Sequence, residues 1–360
     1  MSEATGWTGG AAQMCALSSR LKTMRYPVYV GCPAGGALHK RVLELGLAAF
    51  DFAPFQDYDL LSAWKLARFI DSRKIDIVHA HHPRSHAVAL IAKYLCARKP
   101  ALVITRRVSH PMRQWHVLSR IKYHNARIDA YAAVSESVKK ILADFGIGQE
   151  RIHVIYSGVD TARFRPIAPD PALLAELNTS LPVIGLIGNY SPDKGQTVLL
   201  DAAARALKKG ARAVFLFAGR DTDSPLLRQE ARNAGIAEKY TRFLGFRADV
   251  PQILSVLSVS VNAAVRGEAL SGSIRESMAM RIPVLASDIS GNREIVIDGE
   301  TGALFAPGDS GRLSELIMDR LSDPAAALAL AGSGLKLVSE KFTIERNLEA
   351  TVKLYNDILA

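Results

Sequence analysis

The stretch Val259-Ser-Val-Asn-Ala-Ala-Val-Arg-Gly-Glu-Ala-Leu-Ser-Gly-Ser-Ile-Arg-Glu-Ser-Met-Ala-Met-Arg-Ile-Pro-Val-Leu-Ala-Ser287 opens and closes on short apolar runs of strand character. Between them, Arg266–Ser273 reads as a loop that opens a helix. Glu268 then falls at the C-terminal end of the first strand, and Glu276 within the first turn or two of the helix. Ser271, Gly272 and Ser273 suit a helix N-cap, where backbone N–H groups lack intrahelical partners. A helix N-terminus holds phosphate, and two nearby carboxylates accept hydrogen bonds from vicinal hydroxyls. Together they suit a sugar attached to a nucleoside diphosphate. Alone, the pair is equally well two solvated acids at a helix start, so the surrounding chain has to decide.

Outward from this unit, short apolar runs alternate with amphipathic stretches, the pattern of parallel βα units. Strands are expected at 26–30, 75–79, 101–105 and 129–134, and again at 183–187, 213–218, 240–244, 259–265 and 282–287. Between these sets, Arg165-Pro-Ile-Ala-Pro-Asp-Pro171 reads as a linker. The expectation is an α/β protein of two Rossmann-like domains, 1–165 and 172–340, facing each other across a cleft. The segment 341–360 forms a returning helix with Ile344, Leu348, Val352, Tyr355 and Leu359 on one face.

The 360 residues accommodate two such domains, and 49% hydrophobic content excludes general disorder. Cys15, Cys32 and Cys96 form neither metal spacing nor an even framework, so reduced cysteines in a cytoplasmic protein are expected. No apolar run approaches the roughly 18 residues of a membrane span. The net charge of +10 calls for an anionic partner or surface.

Ligands of open parallel sheets bind beyond the C-terminal strand ends. In the first half those positions hold His79-Ala-His81-His82, Arg106-Arg107-Val-Ser109-His110 and Ser135-Glu136. In the second they hold Gly188-Asn189-Tyr-Ser-Pro-Asp-Lys194-Gly195, Gly219-Arg220, Gly245-Phe246-Arg247 and Arg266-Gly267-Glu268. Glycine, histidine, serine and positive charge recur where a ligand would sit.

With Gly6-Trp-Thr-Gly9-Gly10, Asp76-Ile-Val-His79-Ala-His81, Val154-Ile-Tyr-Ser-Gly158-Val-Asp160-Thr-Ala-Arg-Phe164-Arg-Pro166, Asp193-Lys194-Gly195 and Asn292-Arg-Glu294-Ile-Val-Ile-Asp298-Gly299-Glu-Thr-Gly302, the chain resembles the retaining GT-B-fold glycosyltransferases of family 4. It looks closest to those that build bacterial lipopolysaccharide, capsule or exopolysaccharide. The resemblance implies a nucleotide-diphosphate sugar of UDP or GDP type as co-substrate, with no other cofactor. Glu276 would bind the ribose hydroxyls and Glu268 those of the transferred sugar. Backbone N–H groups of Leu270 and Ser271, beside Gly272, would meet the sugar or diphosphate. Lys194 would neutralise the leaving β-phosphate. Phe246 and Arg247 would lie against the base, with Gly9, Gly10 and Gly188 lining the donor. His110 or Arg107 would orient the reactants or support developing charge.

The chain departs from that pattern twice. The family usually pairs Lys194 with an arginine, where this chain has Asn189; Arg220, Arg247 and Arg266 are the candidate replacements. The family also places a buried strand before the glycine-rich loop, whereas Met1 lies only a few residues ahead of Gly6. The first strand of the N-terminal domain is therefore expected to be missing, and the open reading frame to begin upstream.

Seven of the nine histidines lie between Asp76 and Asp129, an interval without an acidic residue. His79, His81, Arg84, Arg106 and Ser109 are read there as an acceptor face for an anionic glycan or glycolipid. A peripheral position on the inner face of an anionic cytoplasmic membrane is the corresponding expectation, each cation contributing about 1 kcal/mol. Arg113-Gln-Trp115-His-Val-Leu118 supplies an aromatic–apolar patch. The histidines lack the carboxylate or cysteine partners of a metal site, and packing at a strand end explains His79 and His81 equally well. No base-reading motif argues for nucleic acid.

Asp57-Tyr-Asp59 and Asp221-Thr-Asp223 are read as solvated loop acids and the reaction as metal-independent. No carboxylate is evidently placed for a covalent intermediate. Front-face attack with retention is expected, the leaving diphosphate taking the acceptor proton, with water excluded by closure about the 165–171 linker. Two other readings stay open: a nucleotide-sugar epimerase of the same fold, and a non-catalytic membrane-associated nucleotide-sugar-binding module.

Overall fold

Among the described residues every paired strand runs parallel. The computed structural model describes residues 1–6, 8–112 and 115–360. Trp7 of the glycine-rich segment, and Arg113 and Gln114 of the aromatic–apolar patch, lie outside the described residues. The chain divides into two units, Met1–Gly158 with Ile344–Ala360, and Val159–Thr343.

The first unit contains β1 (Tyr29–Cys32), β2 (Ala48–Asp51), β3 (Ile77–Ala80), β4 (Ala101–Arg106), β5 (Ala130–Ala133) and β6 (Ile152–Val154). They form two sheets, β1-β2 and β3-β4-β5-β6. Every position of β4 is buried, as a central strand covered on both faces requires. Met1 and Ser2 bridge the two sheets: Met1 donates to the His79 carbonyl (2.6 Å), Ser2 donates to that of Gly31 (2.9 Å), and His81 donates to that of Met1 (3.0 Å). Beside this bridge lies an apolar cavity of about 370 Å³, lined by Val30, Phe50, Phe69, Ile77 and Tyr355 among others.

The second unit contains β7 (Val183–Ile187), β8 (Val214–Ala218), β9 (Thr241–Gly245), β10 (Val259–Asn262), β11 (Val284–Ser287) and β12 (Ala303–Phe305), ordered β12-β11-β10-β7-β8-β9. Helices Gln196–Lys208 and Ser310–Ser322 close a core around Phe215, Phe217 and Ile317. From β7 the chain winds outward through β8 and β9, and from β10 it winds the other way. The reversal between β7 and β10 is the place where an open α/β sheet binds its ligand.

Strands β2, β6 and β12 were not expected from sequence. Each has three or four residues and a single sheet partner, which leaves little periodicity to read. β10 ends at Asn262 rather than Val265. There Asn262 Oδ1 accepts the Ala264 N–H (3.3 Å) and Val265 donates to Asp193, turning the chain away. The returning helix runs Ile344–Leu359, but its innermost residues are Ile344, Thr351 and Leu354. Tyr355 packs against the core formed by Val103, Ala130, Ala132, Ile155 and Leu354, as expected, while Val352, Tyr355 and Leu359 also line the apolar cavity and Leu359 is exposed.

Candidate donor site where beta7 and beta10 diverge

The loop after β7 is shaped by glycine. Gly195 has φ +74°, and a Cβ there would lie 1.8 Å from the Ala263 carbonyl oxygen. Only a residue without a side chain lets this loop lie directly on the end of β10. Lys194 is thereby brought to Glu268, and the two form an ion pair. Glu268 is buried, and the lysine remains open to solvent along much of its length.

The loop carrying Glu268 is fixed from the other side. Gly291 packs so closely on Ala269 that a Cβ would sit 2.1 Å from its carbonyl oxygen. The Gly291 N–H and Ser290 hydroxyl both donate to the Glu268 carbonyl, each at 3.3 Å. Beneath lies a buried amide network: Asn262 Nδ2 donates to Ser271 Oγ (2.9 Å), and Asn292 Nδ2 to Asn262 Oδ1 (3.2 Å) and the Ser287 carbonyl (3.0 Å). Sequence reasoning gave no role to Asn262, Ser290 or Gly291, and Asn292 entered it only as the start of a family motif. The one available signal was an amide at the end of an otherwise apolar strand.

Ser271 occupies the cap of helix Gly272–Ala279, yet its side chain does not cap. Its hydroxyl is turned to Asn262, so the first N–H groups of the helix are not met by it. One turn on, burial pushes the Glu276 carboxyl up to about 7, against the opposing charges of Arg275 and Arg163. Buried Arg275, which donates to the Ser271 carbonyl, is pushed down to about 10, against the attraction of Glu276 and Glu268. Leu270 is buried beside Ser271.

Asn189 is a loop brace. Its Oδ1 accepts the Arg220 N–H (3.0 Å), and its carbonyl accepts Gln196 Nε2 (3.1 Å). Gly188 belongs to the same junction: a Cβ on Gly219 would lie 2.3 Å from the Gly188 oxygen. The three candidate arginines differ sharply. Arg247 is held by Asp249 and Glu176, and Arg266 by Asp193, whereas the exposed Arg220 side chain has no ion-pair partner among the described residues. Phe246 projects into solvent. The two Asp-x-Asp strings are not idle loop acids throughout. Asp59 caps helix Leu60–Arg73 and Asp57 pairs with Lys122, while Asp223 lies against Gly245. Among the described residues no group of three or more His, Cys, Asp or Glu could hold a metal.

Residues 181–323 match the family described as "Glycosyl transferases group 1", and residues 7–163 match "Glycosyltransferase Family 4". The chain is a family 4 glycosyltransferase. It is 29% identical over 318 residues to a putative glycosyltransferase, EpsD, of Bacillus subtilis, covering 84% of this chain and 82% of that one. Over 296 residues it is 28% identical to a lipopolysaccharide core biosynthesis mannosyltransferase, LpcC, of Rhizobium leguminosarum, covering 80% of each. The fold is shared with Anabaena HepE, solved with UDP-glucose, at a TM-score of 0.86 and 22% identity over 99% of this chain and 98% of that one. The enzyme is thus a retaining, metal-independent glycosyltransferase of GT-B fold that uses a nucleotide sugar. No helix among its described residues is long and apolar enough to cross a membrane.

In the first unit the glycosyltransferase brings Gly10, His82 and Arg107 together at the C-terminal strand edge. A Cβ on Gly10 would touch both side chains at 3.4 Å, while around Gly9 there is open space. Arg107 binds Ser157 Oγ (2.9 Å) and His81 Nδ1 (3.2 Å). His79 is enclosed, one ring nitrogen on the Tyr355 hydroxyl and the other on that of Thr105, both at 2.6 Å. Burial holds His79 and His81 well below the usual imidazole range, with nearby positive charge adding to the effect. Arg106 turns the other way, donating to the His110 carbonyl (2.6 Å) and to Tyr123, and Arg84 is tied to Glu3 and to the Pro54 carbonyl. Ser109 and His110 lie in the loop after β4.

Proposed function

We propose that this enzyme transfers a hexose from a UDP- or GDP-type sugar to a hydroxyl of a glycan or lipid-linked glycan in bacterial cell-envelope polysaccharide synthesis. It would work as a peripheral protein at the inner face of the cytoplasmic membrane. The observation that carries the reading is the Lys194–Glu268 pair, set at the sheet reversal beside a helix N-terminus whose cap side chain is engaged elsewhere. Support also comes from EpsD and from the lipopolysaccharide mannosyltransferase LpcC, and from the UDP-glucose held by HepE.

In this reading the diphosphate lies on the first N–H groups of helix Gly272–Ala279 and against Lys194. Arg220, the candidate arginine without an ion-pair partner among the described residues, supplies the second cation. Glu276 accepts hydrogen bonds from the ribose hydroxyls, and Glu268 from the transferred sugar. As the glycosidic bond breaks, charge grows on the β-phosphate, where Lys194 and the N–H groups stabilise it. The acceptor hydroxyl attacks the same face and gives its proton to the departing phosphate oxygen, which preserves the anomeric configuration. The first unit receives the acceptor, through Arg107, His81 and the loop carrying Ser109 and His110.

A thermal-shift panel of UDP, GDP, ADP, CMP and TDP tests the donor site, followed by product analysis with the matching sugar nucleotide. One nucleotide is expected to raise the melting temperature in wild type and to fail with Glu276→Ala. Silence toward every nucleotide would overturn the reading. An isomerised donor formed without acceptor would replace it with an epimerase.

A further inference from the structure

The first unit exposes an unusual amount of large apolar surface in two neighbouring places. One is the loop and first turn leading into helix Leu60–Arg73. Phe55 is 83% exposed there, and Tyr58, Leu60, Leu61 and Trp64 are exposed with it. The buried face of that helix, Ala63, Leu66, Ala67 and Ile70, already serves the core, so the outer residues are surplus to folding. The other place is Trp115, 72% exposed, with Val117, Leu118 and Ile121 along the outer side of helix Val117–Tyr123.

The two patches are fastened to each other. Lys122, on the second helix, binds Asp57 at 2.9 Å in the first loop, and also the Pro83 carbonyl. Arg84 Nη1 donates to the Pro54 carbonyl (3.2 Å). The charge pattern around them is one-sided. Lys65, Arg68 and Arg120 are exposed among the apolar side chains, and the Arg68 guanidinium lies 5.6 Å from the Trp64 ring centroid. The local acids are occupied: Asp57 by Lys122, and Asp59 by the N–H groups of Ser62 (2.9 Å) and Phe55 (3.0 Å).

We propose that these two patches together form the face by which the enzyme docks on an anionic lipid bilayer. Aromatic and aliphatic side chains would enter the headgroup region, with Lys65, Arg68 and Arg120 at the level of the lipid phosphates. A second copy is disfavoured as the occupant because two such faces would bring like charges together. The inference rests on the reading that the acceptor is used at a membrane, and it adds which surface meets that membrane.

The test is flotation of the full chain with vesicles of phosphatidylglycerol and phosphatidylcholine, and with phosphatidylcholine alone. Wild type is expected to float with the anionic vesicles, to be released by salt, and to show blue-shifted tryptophan emission. The double variants Leu61→Ser/Trp64→Ser and Leu118→Ser/Ile121→Ser should each lose at least about tenfold in partitioning, since every deleted side chain is exposed and apolar. Their melting temperatures and nucleotide shifts should match wild type. Failure of wild type to float, with its nucleotide shift intact, would overturn the docking face and leave the donor site standing. Full flotation by both variants would also overturn it. A salt-stable dimer abolished by these substitutions would reassign the surface to a second copy.

Discussion

The Lys194 ammonium holds the Glu268 carboxylate across 74 residues of chain, at the point where the loops after β7 and β10 meet. In the proposed donor site each partner would serve a different part of a nucleotide sugar. A diphosphate arriving at Lys194 would release Glu268 toward sugar hydroxyls, so the two contacts would form together. Lys194→Met should lower kcat by about 10²–10³-fold, the usual cost of one group that stabilises developing charge. Because the change leaves the buried Glu268 carboxylate without its cation, the melting temperature should fall as well, and kcat is compared well below it. A variant retaining more than half of wild-type kcat would sink the assignment.

Arg220 is the candidate arginine with no ion-pair partner among the described residues. Arg220→Ala should weaken binding of a nucleoside diphosphate by about tenfold or more, the scale of a lost charge-assisted hydrogen bond. Arg266→Ala should do less, because Arg266 already answers to Asp193. Isothermal titration of both variants decides the order, and the reverse order would return the second cation to Arg266.

Gly195 and Gly210 both have positive φ, +74° and +94°, but only Gly195 has a neighbour in the way. Gly210→Ala should cost about 1 kcal/mol for backbone strain alone. Gly195→Ala has to move the Ala263 carbonyl as well, and should cost at least about twice that and displace Lys194. Denaturant melts of the two variants compare them directly. Equal losses would mean that contact with β10 does not set the loop.

In the proposed donor site Glu276 would couple stability to function. Its native carboxyl titrates near 7 against an ordinary 4.5, so this group's contribution is full below pH 4.5 and is lost as pH rises through 7. Glu276→Gln should therefore stabilise the ligand-free enzyme above pH 7 by no more than about 3 kcal/mol, while losing the nucleotide shift. A destabilised Gln variant would show that the carboxylate is held by compensating contacts.

The imidazoles act in the opposite sense. His79, His81 and His86 are buried with their affinities for protons well depressed. The unfolded chain takes up these protons first, so stability falls as pH drops below 6.5. Three imidazoles against one carboxyl set the expected direction. The melting temperature should be lower at about pH 5.5 than at about pH 8, with a shallower slope in His86→Phe. A protein that melts higher in acid would contradict this.

The parallel architecture was legible because runs such as Ala101–Ile104 and Val183–Ile187 are apolar throughout, and because glycine and charge crowd the loops at their C-terminal ends. The placement of Lys194, Gly195 and Glu268 in those loops, and of Glu276 early in the helix that follows, was legible too. Long-range pairing was not. Nothing in the local sequence connects Asn262 to Asn292, or Gly291 to Ala269, since each contact exists only once two loops have packed. Arg106 and Arg107 show a finer limit. Neighbours at the end of a strand face opposite sides of the sheet, so one meets His81 and the other Tyr123, but alternation alone does not say which.

Ser271 stands in the cap position of its helix while its hydroxyl serves Asn262. The first turn of Gly272–Ala279 therefore depends on something other than its own cap to satisfy it, and a bound diphosphate would complete it. Amide hydrogens there should exchange readily in the empty enzyme and slowly in the loaded one. Substrate would then finish a piece of secondary structure on arrival, and product release would fray it again, so that each turnover includes one small cycle of folding.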